Sequence, residues 1–413
     1  MKLALIGYVW PEPTSSAAGQ RTQQLLRAFQ KAGWGLHVLS ASAVNPFTEQ
    51  LKTLGAQTLP IQMNDSTFDQ QIREICPDIV IFDRFVTEEQ FGWRVRAECP
   101  NALRVIDTQD LHFLRRAREL ALKKGASLEE IEALQFDLQT EDALREIASL
   151  YRSDLSLVLS DFELKLLTER FNVPHELLML SRFHYPTPKS ALSFENRTNF
   201  AWIGNFRHPP NADAIRWAHQ DIWPELRKKC PTAEFHIYGA YPPKEFMELD
   251  DSRNGFRVLG PCEDSLTTLS KYKALLAPIR YGAGIKGKIT DSWAAGTPVI
   301  TTPVGAEGMH ENRQWGGRIE KSPAKLVQSA IEIYESSKIW QEASEAGQSL
   351  LCALFDESAL EAALLKRLEQ AHASMNERRN QNVVGQILWH QGLRSTEYFS
   401  RWIETKNQFT LKS

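Results

Sequence analysis

Short apolar segments alternate with longer amphipathic segments along the first part of the chain. Leu3–Tyr8 is apolar, Gln20–Ala32 carries its apolar residues at helical spacing, and Leu36–Ser40 is apolar again. A strand, a helix and a second strand joined by short connections form the unit that builds a parallel sheet. Four more apolar segments follow, at Gln57–Ile61, Asp78–Asp83, Arg104–Asp107 and Asp154–Ser160. The pattern predicts a Rossmann-like domain over residues 1–182.

The polar stretch at 183–199 contains two prolines and has no hydrophobic period, which predicts a linker. After it the alternation starts again, and its apolar segments predict strands at Phe200–Gly204, Glu234–Tyr238, Arg257–Leu259, Ala274–Ala277 and Pro298–Thr302. We therefore predict a second Rossmann-like domain over residues 200–370. Paired α/β domains bind ligands in the cleft between them, at the carboxyl ends of their strands.

The chain from Ser322 onward has helical spacing, and its last part, residues 371–413, is predicted to be a helical tail. This tail contains the aromatic residues Trp389, Tyr398, Phe399 and Trp402. Disordered segments are poor in aromatic residues. We expect the tail to pack back on the body of the protein.

Composition excludes several classes of protein. A chain of 413 residues is too long for one ordinary core, and a formal net charge of −3 gives no reason to expect a nucleic-acid partner. The five cysteines form no CxxC pair, which favours a reducing compartment. The apolar start is short and lacks a signal-peptide cleavage site, and no stretch reaches the roughly 18 apolar residues that span a membrane. We expect a cytoplasmic protein.

The most distinctive stretch, Ile279–Gly308, contains two glycine-rich turns. The first turn precedes a helical run, Ile289–Ala295, and carries Lys286 and Lys288. Glycines let the backbone approach a ligand closely, and the start of a helix offers free N–H groups to an anion. The stretch therefore predicts an anion site, and we interpret the anion as the diphosphate of a nucleotide-sugar.

The second domain resembles glycosyltransferase family 4, a group of retaining enzymes with the GT-B fold. The similarity is carried by WIGNFRHPPNADAIRWAHQDIWP (202–224), FHIYG (235–239), VLGPCED (258–264) and APIRYGAGIKGKITDSWAAGTPVITTPVGAEG (277–308). GYVWPEPTSSAAGQRT and VIDTQDLHFLRRARE in the first domain resemble the family more loosely. The resemblance implies an α/β protein of the GT-B fold, with two Rossmann-like domains facing each other across a cleft and C-terminal helices.

The resemblance also implies a substrate and a reaction. The donor is expected to be a UDP- or GDP-sugar, and the acceptor a glycan, a lipid-linked sugar or a protein. Two alternatives stay open. One is a nucleotide-sugar 2-epimerase on the same scaffold. The other is a nucleotide-sugar-binding protein that has lost turnover.

For the diphosphate, the resemblance points to the cations Lys286, Lys288 and Arg207 and to close backbone approach at Gly284 and Gly19. Gly19 is equally compatible with a simple turn glycine. Because cations and backbone N–H groups can neutralise a departing diphosphate, neither a metal ion nor another cofactor is required.

The ribose is expected to bind Asp291, whose alternative role is helix-dipole pairing. The second glycine turn, with Gly305 and Glu307, is expected near the donor sugar. Glu307 is equally compatible with a role in fixing that loop.

Two positions depart from the family pattern. Many members carry two glutamates separated by seven residues, where this chain has Ala283 and Asp291. Many also carry a first-domain histidine, which aligns here with Gln109. The candidates that remain for catalysis are Asp110 and His112, and His112 is also compatible with a purely structural place at a helix start.

The segment Leu111–Lys124 is basic and carries an apolar stripe. Such a helix can lie on an anionic membrane surface, which here would be the cytoplasmic face. The alternative is an ordinary surface helix of the first domain.

Overall fold

The computed structural model describes residues 1–187, 193–391 and 394–410. Residues 188–192 of the predicted linker and residues 392–393 and 411–413 of the predicted tail lie outside the described residues.

The first domain contains a parallel sheet of seven strands in the order β3-β2-β1-β4-β5-β6-β7. Six of the strands match the apolar segments of the sequence. The seventh, β7, is three residues long and was not predicted. The strands are β1 (Lys2–Gly7), β2 (Gly35–Ser40), β3 (Gln57–Pro60), β4 (Ile79–Asp83), β5 (Leu103–Asp107), β6 (Leu155–Val158) and β7 (Leu178–Leu180).

Helices cover both faces of this sheet. The first begins earlier than predicted, because the Ser16 hydroxyl accepts the N–H of Gly19 and caps it. The helices are α1 (Ala17–Lys31), α2 (Phe47–Thr53), α3 (Thr67–Ile75), α4 (Phe85–Glu98), α5 (His112–Lys123), α6 (Leu128–Glu132), α7 (Glu141–Arg152) and α8 (Asp161–Glu169).

The second domain contains a parallel sheet of six strands in the order β10-β9-β8-β11-β12-β13. Its last strand, like β7, is three residues long and was not predicted. The strands are β8 (Thr198–Ile203), β9 (Phe235–Tyr238), β10 (Phe256–Gly260), β11 (Tyr272–Ala277), β12 (Val299–Thr301) and β13 (Gly317–Ile319).

The helices of the second domain include the predicted one after the first glycine-rich turn, which begins at Gly287. The predicted helix from Ala212 to Lys229 is two helices joined by a π-helical turn, Ala218–Ile222. The helices are α9 (Pro209–Trp217), α10 (Trp223–Lys229), α11 (Lys244–Met247), α12 (Ser265–Leu269), α13 (Gly287–Ala294), α14 (Pro303–Ala306), α15 (Pro323–Glu335) and α16 (Ser337–Leu354).

The chain crosses between the domains twice, and the two crossing segments lie side by side. The Tyr185 N–H donates to the Phe355 carbonyl at 2.8 Å, and the Glu357 N–H donates to the Tyr185 carbonyl at 3.0 Å. The return to the first domain therefore occurs near residue 356 and not at residue 370, where the sequence placed the end of the second domain.

Four C-terminal helices follow this return. Leu364 and Leu368 of the first one are fully buried in a cluster with Leu3, Leu5 and Phe29 of the first domain. Helical spacing predicted a helix here, but spacing does not tell which core covers it. The helices are α17 (Glu357–Ala373), α18 (Met375–Gln381), α19 (Val383–Gln391) and α20 (Arg394–Thr410).

Helix α5, for which the sequence suggested contact with a membrane surface, directs its apolar side into the protein. Phe113, Leu114 and Ala117 are buried in the first-domain core. Arg116 and Arg118 form ion pairs with Asp142 and Glu307. The structure therefore favours the alternative, a surface helix of the first domain. Among the residues that the structure describes, no helix combines the length and hydropathy needed to cross a bilayer.

Trp389 fixes α19 to the first domain. Its ring is 9% exposed and packs with Trp93, and its Nε1 donates to the Arg152 carbonyl at 2.9 Å. We expect Trp389→Ala to lower the free energy of unfolding by about 3 kcal/mol in urea titrations, because a large buried side chain is lost. Trp402, which is 56% exposed, provides the control, and Trp402→Ala should cost less than about 0.5 kcal/mol. Equal losses would contradict the buried place of Trp389.

Candidate donor site in the interdomain cleft

The first glycine-rich turn lies against the first domain. Gly284 has a φ of +65°, and a Cβ added to it would lie 2.8 Å from the Cβ of Asp110. A Cβ added to Gly287 would lie 3.1 Å from the Cβ of Ala17, at the start of α1. The glycines thus allow α13 and its turn to approach the first-domain loops, and the N-termini of α1 and α13 meet in the cleft.

The two predicted lysines lie where this turn meets α13, and both are poorly hydrated. Lys286 directly precedes the helix and Lys288 lies in its first turn. Lys286 is buried, and its Nζ has no hydrogen-bond partner among the described residues. The Lys288 Nζ donates to Asn211 Oδ1 at 2.6 Å and lies 3.7 Å from the centroid of the Trp202 ring. Burial lowers the pKa of Lys286 to about 8 and that of Lys288 to about 7. Two amines with weak solvation at the start of a helix can bind an anion strongly.

Asp291 joins both domains and one of the crossing segments. Its Oδ1 accepts from the Tyr185 hydroxyl at 2.6 Å and from Gln20 Nε2 at 3.1 Å, and its Oδ2 accepts from the Ser265 hydroxyl at 2.8 Å. Burial raises the pKa of Asp291, while these hydrogen bonds act in the opposite direction. The carboxylate bonds side chains and not the N–H groups of its own helix, which disfavours simple helix-dipole pairing. Its ribose role stays a prediction.

Gly19 and Arg207 are engaged elsewhere. The Gly19 N–H donates to the Ser16 hydroxyl, and a Cβ added to Gly19 would lie 2.4 Å from the backbone carbon of Glu12. The contact with Glu12 is enough to explain why this residue is glycine. Arg207 is exposed, and its guanidinium carbon lies 3.7 Å from the ring centroid of Tyr241. The diphosphate roles of both residues stay predictions, with less support than those of the lysines.

The second glycine turn is fixed by protein contacts. A Cβ added to Gly305 would lie 1.9 Å from Thr301 Oγ1, so only glycine fits there. Glu307 accepts two bonds from the Arg118 guanidinium, at 2.8 and 2.6 Å. Arg118 also donates to the Gly282 carbonyl at 2.8 Å. These contacts favour the loop-fixing role of Glu307 and join the two glycine turns to α5.

The candidate catalytic residues lie beside the first turn. Burial alone would raise the pKa of Asp110, but the Arg115 guanidinium and His112 outweigh it and hold that pKa well below its ordinary value. Burial lowers the pKa of His112 to about 3, although its Nε2 lies 3.3 Å from Asp110 Oδ1. A tightly paired carboxylate and a weakly basic imidazole are both poor general bases at neutral pH.

Gln109, which the resemblance aligns with a histidine, has a φ of +61°. Its Nε2 donates to Asp83 Oδ1 at 3.1 Å. The side chain is therefore anchored within the first domain.

The first glycine-rich turn, residues 282–286, is called the donor turn below. Four residues that bond this turn or α13 were not selected by sequence reasoning: Gln20, Arg118, Glu163 and Tyr185. The importance of each depends on a partner in a distant part of the chain, which the residue type does not reveal. The sequence contained only weak indications of two of these residues. Arg118 belongs to the basic α5 segment, and Glu163 lies three residues after the helix-capping Ser160.

Comparison with known proteins agrees with this arrangement. Residues 197–336 match the model of the family described as Glycosyl transferases group 1. No curated protein matches the sequence.

Several solved structures are similar over nearly their whole length. Sucrose-phosphate synthase from Thermosynechococcus elongatus has a TM-score of 0.67 at 16% identity, covering 90% of this chain and 99% of its own. HepE from Anabaena in complex with UDP-glucose has a TM-score of 0.66 at 13% identity, covering 90% and 100%. A point mutant of TarM from S. aureus, in complex with fondaparinux, alpha-GlcNAc-glycerol and UDP, has a TM-score of 0.65 at 10% identity, covering 89% and 99%.

The predicted GT-B fold, with two Rossmann-like domains, is thereby confirmed. Within the second domain, the similarity to group 1 glycosyltransferases extends over residues 197–336. At these low identities the solved structures establish the fold alone.

Arg118 provides a test of the contacts between α5 and the two glycine turns. Arg118→Ala should lower the free energy of unfolding by about 3 kcal/mol, because Glu307 would be left largely buried without its partner. Arg116, on the same helix, is 52% exposed beside Asp142, so Arg116→Ala should cost less than about 0.5 kcal/mol. Urea titrations of the two variants provide the comparison. A loss for Arg118→Ala no larger than the control would refute the structural role of the pair.

Proposed function

We propose that this protein is a glycosyltransferase that moves a sugar from a nucleotide-diphosphate sugar to a hydroxyl of a glycan, a lipid-linked sugar or a protein. The observation that carries the proposal is the pair of poorly hydrated amines, Lys286 and Lys288, at the N-terminus of α13 in the region similar to group 1 glycosyltransferases. TarM and HepE were both crystallised with UDP or a UDP-sugar, which favours UDP over GDP as the donor nucleotide.

In the proposed reaction, the bond between the anomeric carbon and the diphosphate oxygen breaks, and its electron pair leaves with the diphosphate. Lys286, Lys288 and the N–H groups at the start of α13 stabilise the developing charge, so the protein needs no metal for this step. The acceptor oxygen bonds to the anomeric carbon and its proton passes to the leaving phosphate. This route suits a site in which Asp110 is paired with Arg115 and His112 is weakly basic. Retention of configuration rests on the resemblance to glycosyltransferase family 4, and a cytoplasmic location rests on the sequence.

A nucleotide-sugar-binding protein without turnover is the second candidate. The anchored Gln109 and the Ala283 at a family glutamate position favour it. Slow hydrolysis of the donor in the absence of acceptor distinguishes the two, because only a transferase should release free sugar and nucleoside diphosphate.

Thermal unfolding in the presence of UDP-, GDP-, ADP-, TDP- and CMP-sugars tests the donor class. We expect UDP-sugars to raise the unfolding midpoint most.

Lys286→Ala combined with Lys288→Ala should weaken UDP binding at least 100-fold by calorimetry, because two charge-assisted contacts of about 1.5–3 kcal/mol each are removed. Lys273, a partly buried lysine whose Nζ lies 3.6 Å from the Phe194 ring centroid, is the matched control. If Lys273→Ala and the double variant bind UDP equally well, the diphosphate assignment fails.

The lowered pKa values of the two lysines predict a pH dependence. Diphosphate binds the protonated amines, and in the free protein these lose their protons as the pH rises through about 7 and 8. The affinity for UDP should therefore fall by a factor of about 10 or more between pH 7 and pH 9. The protein should also take up protons when UDP binds. Calorimetry in buffers of different ionisation enthalpy measures both quantities. The double alanine variant should show weak binding without this dependence, and a flat profile for the wild-type protein would contradict the assignment.

A further inference from the structure

One buried carboxylate is shared by the two sides of the cleft. Glu163, on α8 of the first domain, is fully buried. Its Oε1 accepts the Leu111 N–H at 3.0 Å and the Gly284 N–H at 2.8 Å. Leu111 lies between the two candidate catalytic residues, and Gly284 belongs to the donor turn. A single oxygen atom thus connects the Asp110–His112 loop to the donor turn.

The helix that carries Glu163 fixes the position of this carboxylate. Ser160 caps α8 by accepting the Glu163 N–H at 3.1 Å, and its hydroxyl donates to Glu163 Oε2 at 3.2 Å. In a capping box, a glutamate at this position would bond back to the backbone N–H of the capping residue. Here the carboxylate is directed to Leu111 and Gly284. The side chain is therefore held at the helix start and reaches two other segments of the chain.

A contribution to folding stability does not explain why a carboxylate is buried at position 163. Burial raises the pKa of Glu163 to about 7, although the N–H groups of Leu111 and Gly284 and the nearby Lys286 act in the opposite direction. A carboxylate buried without a bonded cation is costly, and an uncharged side chain of similar shape is generally tolerated better in such a place. The carboxylate instead specifies the distance between Leu111 and Gly284, because both hydrogen bonds form only when their two loops lie at one separation.

The surroundings of Gly284 leave the turn little freedom at this contact. Its neighbour Ala283 packs against the apolar core of the first domain. On the other side, the Gly284 Cα faces Asp110 so closely that no side chain fits between them. The hydrogen bond to Glu163 completes a three-point contact between the donor turn and the first domain.

We propose that Glu163 is a positioning residue for sugar transfer, which sets the separation of the Asp110–His112 loop and the donor turn. Through this separation it aligns the attacking oxygen, of water in hydrolysis or of the acceptor in transfer, with the anomeric carbon, and it does not itself touch substrate. The proposal rests on the proposed function. A misplacement of about 1 Å in such an alignment can cost about 100-fold in rate.

Glu146 offers a matched control. It is 1% exposed, and its carboxylate accepts the N–H groups of His112 and Phe113 at 3.1 and 2.9 Å. Both glutamates therefore cap the start of α5 from within the first domain. Only Glu163 also bonds the second domain, so the two variants separate helix capping from the contact across the cleft.

The test compares Glu163→Ala with Glu146→Ala in the full chain, using donor hydrolysis, UDP calorimetry and small-angle X-ray scattering. Glu163→Ala should lower kcat about 30-fold or more, while the Kd for UDP changes less than about threefold. It should also enlarge the radius of gyration of the unliganded protein, because one contact across the cleft is lost. Glu146→Ala should lower the unfolding midpoint, with a much smaller change in kcat and an unchanged radius of gyration.

Two conservative variants keep the test decisive if Glu163→Ala does not fold. Glu163→Gln retains an oxygen at the same reach and should keep most of the wild-type kcat. Glu163→Asp retains the charge but is shorter, and should lose kcat as the alanine variant does. An active aspartate variant with an inactive glutamine variant would overturn the positioning role in favour of a charge effect. Equal kcat losses for Glu163→Ala and Glu146→Ala, with no change in radius of gyration, would also overturn it.

The proposed function and this inference fail in different ways. If the wild-type protein binds neither UDP nor any tested nucleotide-sugar, the proposed function fails. The scattering comparison of the Glu163 and Glu146 variants still decides whether Glu163 holds the two domains together. If the wild-type protein binds and hydrolyses donor and Glu163→Ala does so equally well, the inference alone fails.

Discussion

Buried polar contacts between the carboxyl edges of two parallel sheets are the constraint on which the candidate site depends. Gln20 of the first domain donates to Asp291 of the second, Arg118 pairs with Glu307, and Glu163 accepts the Gly284 N–H. Buried polar groups must find hydrogen-bond partners, and they find them only in particular geometries. The contacts therefore specify one orientation of the two domains more narrowly than apolar packing alone would.

The same contacts place groups of opposite charge close together without neutralising all of them. Arg118 satisfies Glu307 and Arg115 satisfies Asp110, whereas the Lys286 Nζ is buried and has no hydrogen-bond partner among the described residues. Lys288 is held by an amide oxygen and an aromatic face, which orient the amine without cancelling its charge. Positive charge in a poorly hydrated cleft interacts with an anion more strongly than the same charge in water. This electrostatic arrangement suits a departing diphosphate.

Much of the fold could be predicted from local patterns. The order of the strands along the chain followed from apolar segments of three to seven residues, whereas β7 and β13 were missed. The end of the second domain was placed too late, because α17 has the spacing of any helix with a buried face and gives no sign that the first-domain core covers it. The donor turn was identified because its glycines and lysines are adjacent in sequence. Gly305 was expected near the sugar, yet its contact with Thr301 is enough to require glycine.

The sequence by itself determined two α/β domains, C-terminal helices and a lysine-bearing glycine turn at the start of a helix, since each of these is encoded by residues close together in the chain. Only the tertiary structure decided which first-domain side chains meet that turn. Glu163 and Gly284 are 121 positions apart, and Gln20 and Asp291 are 271 positions apart. Hydrophobic periodicity records which face of an element is buried. The partner of a buried polar group is settled only when the two domains dock, because hydrogen bonding depends on the distance and direction between atoms that the chain itself keeps far apart.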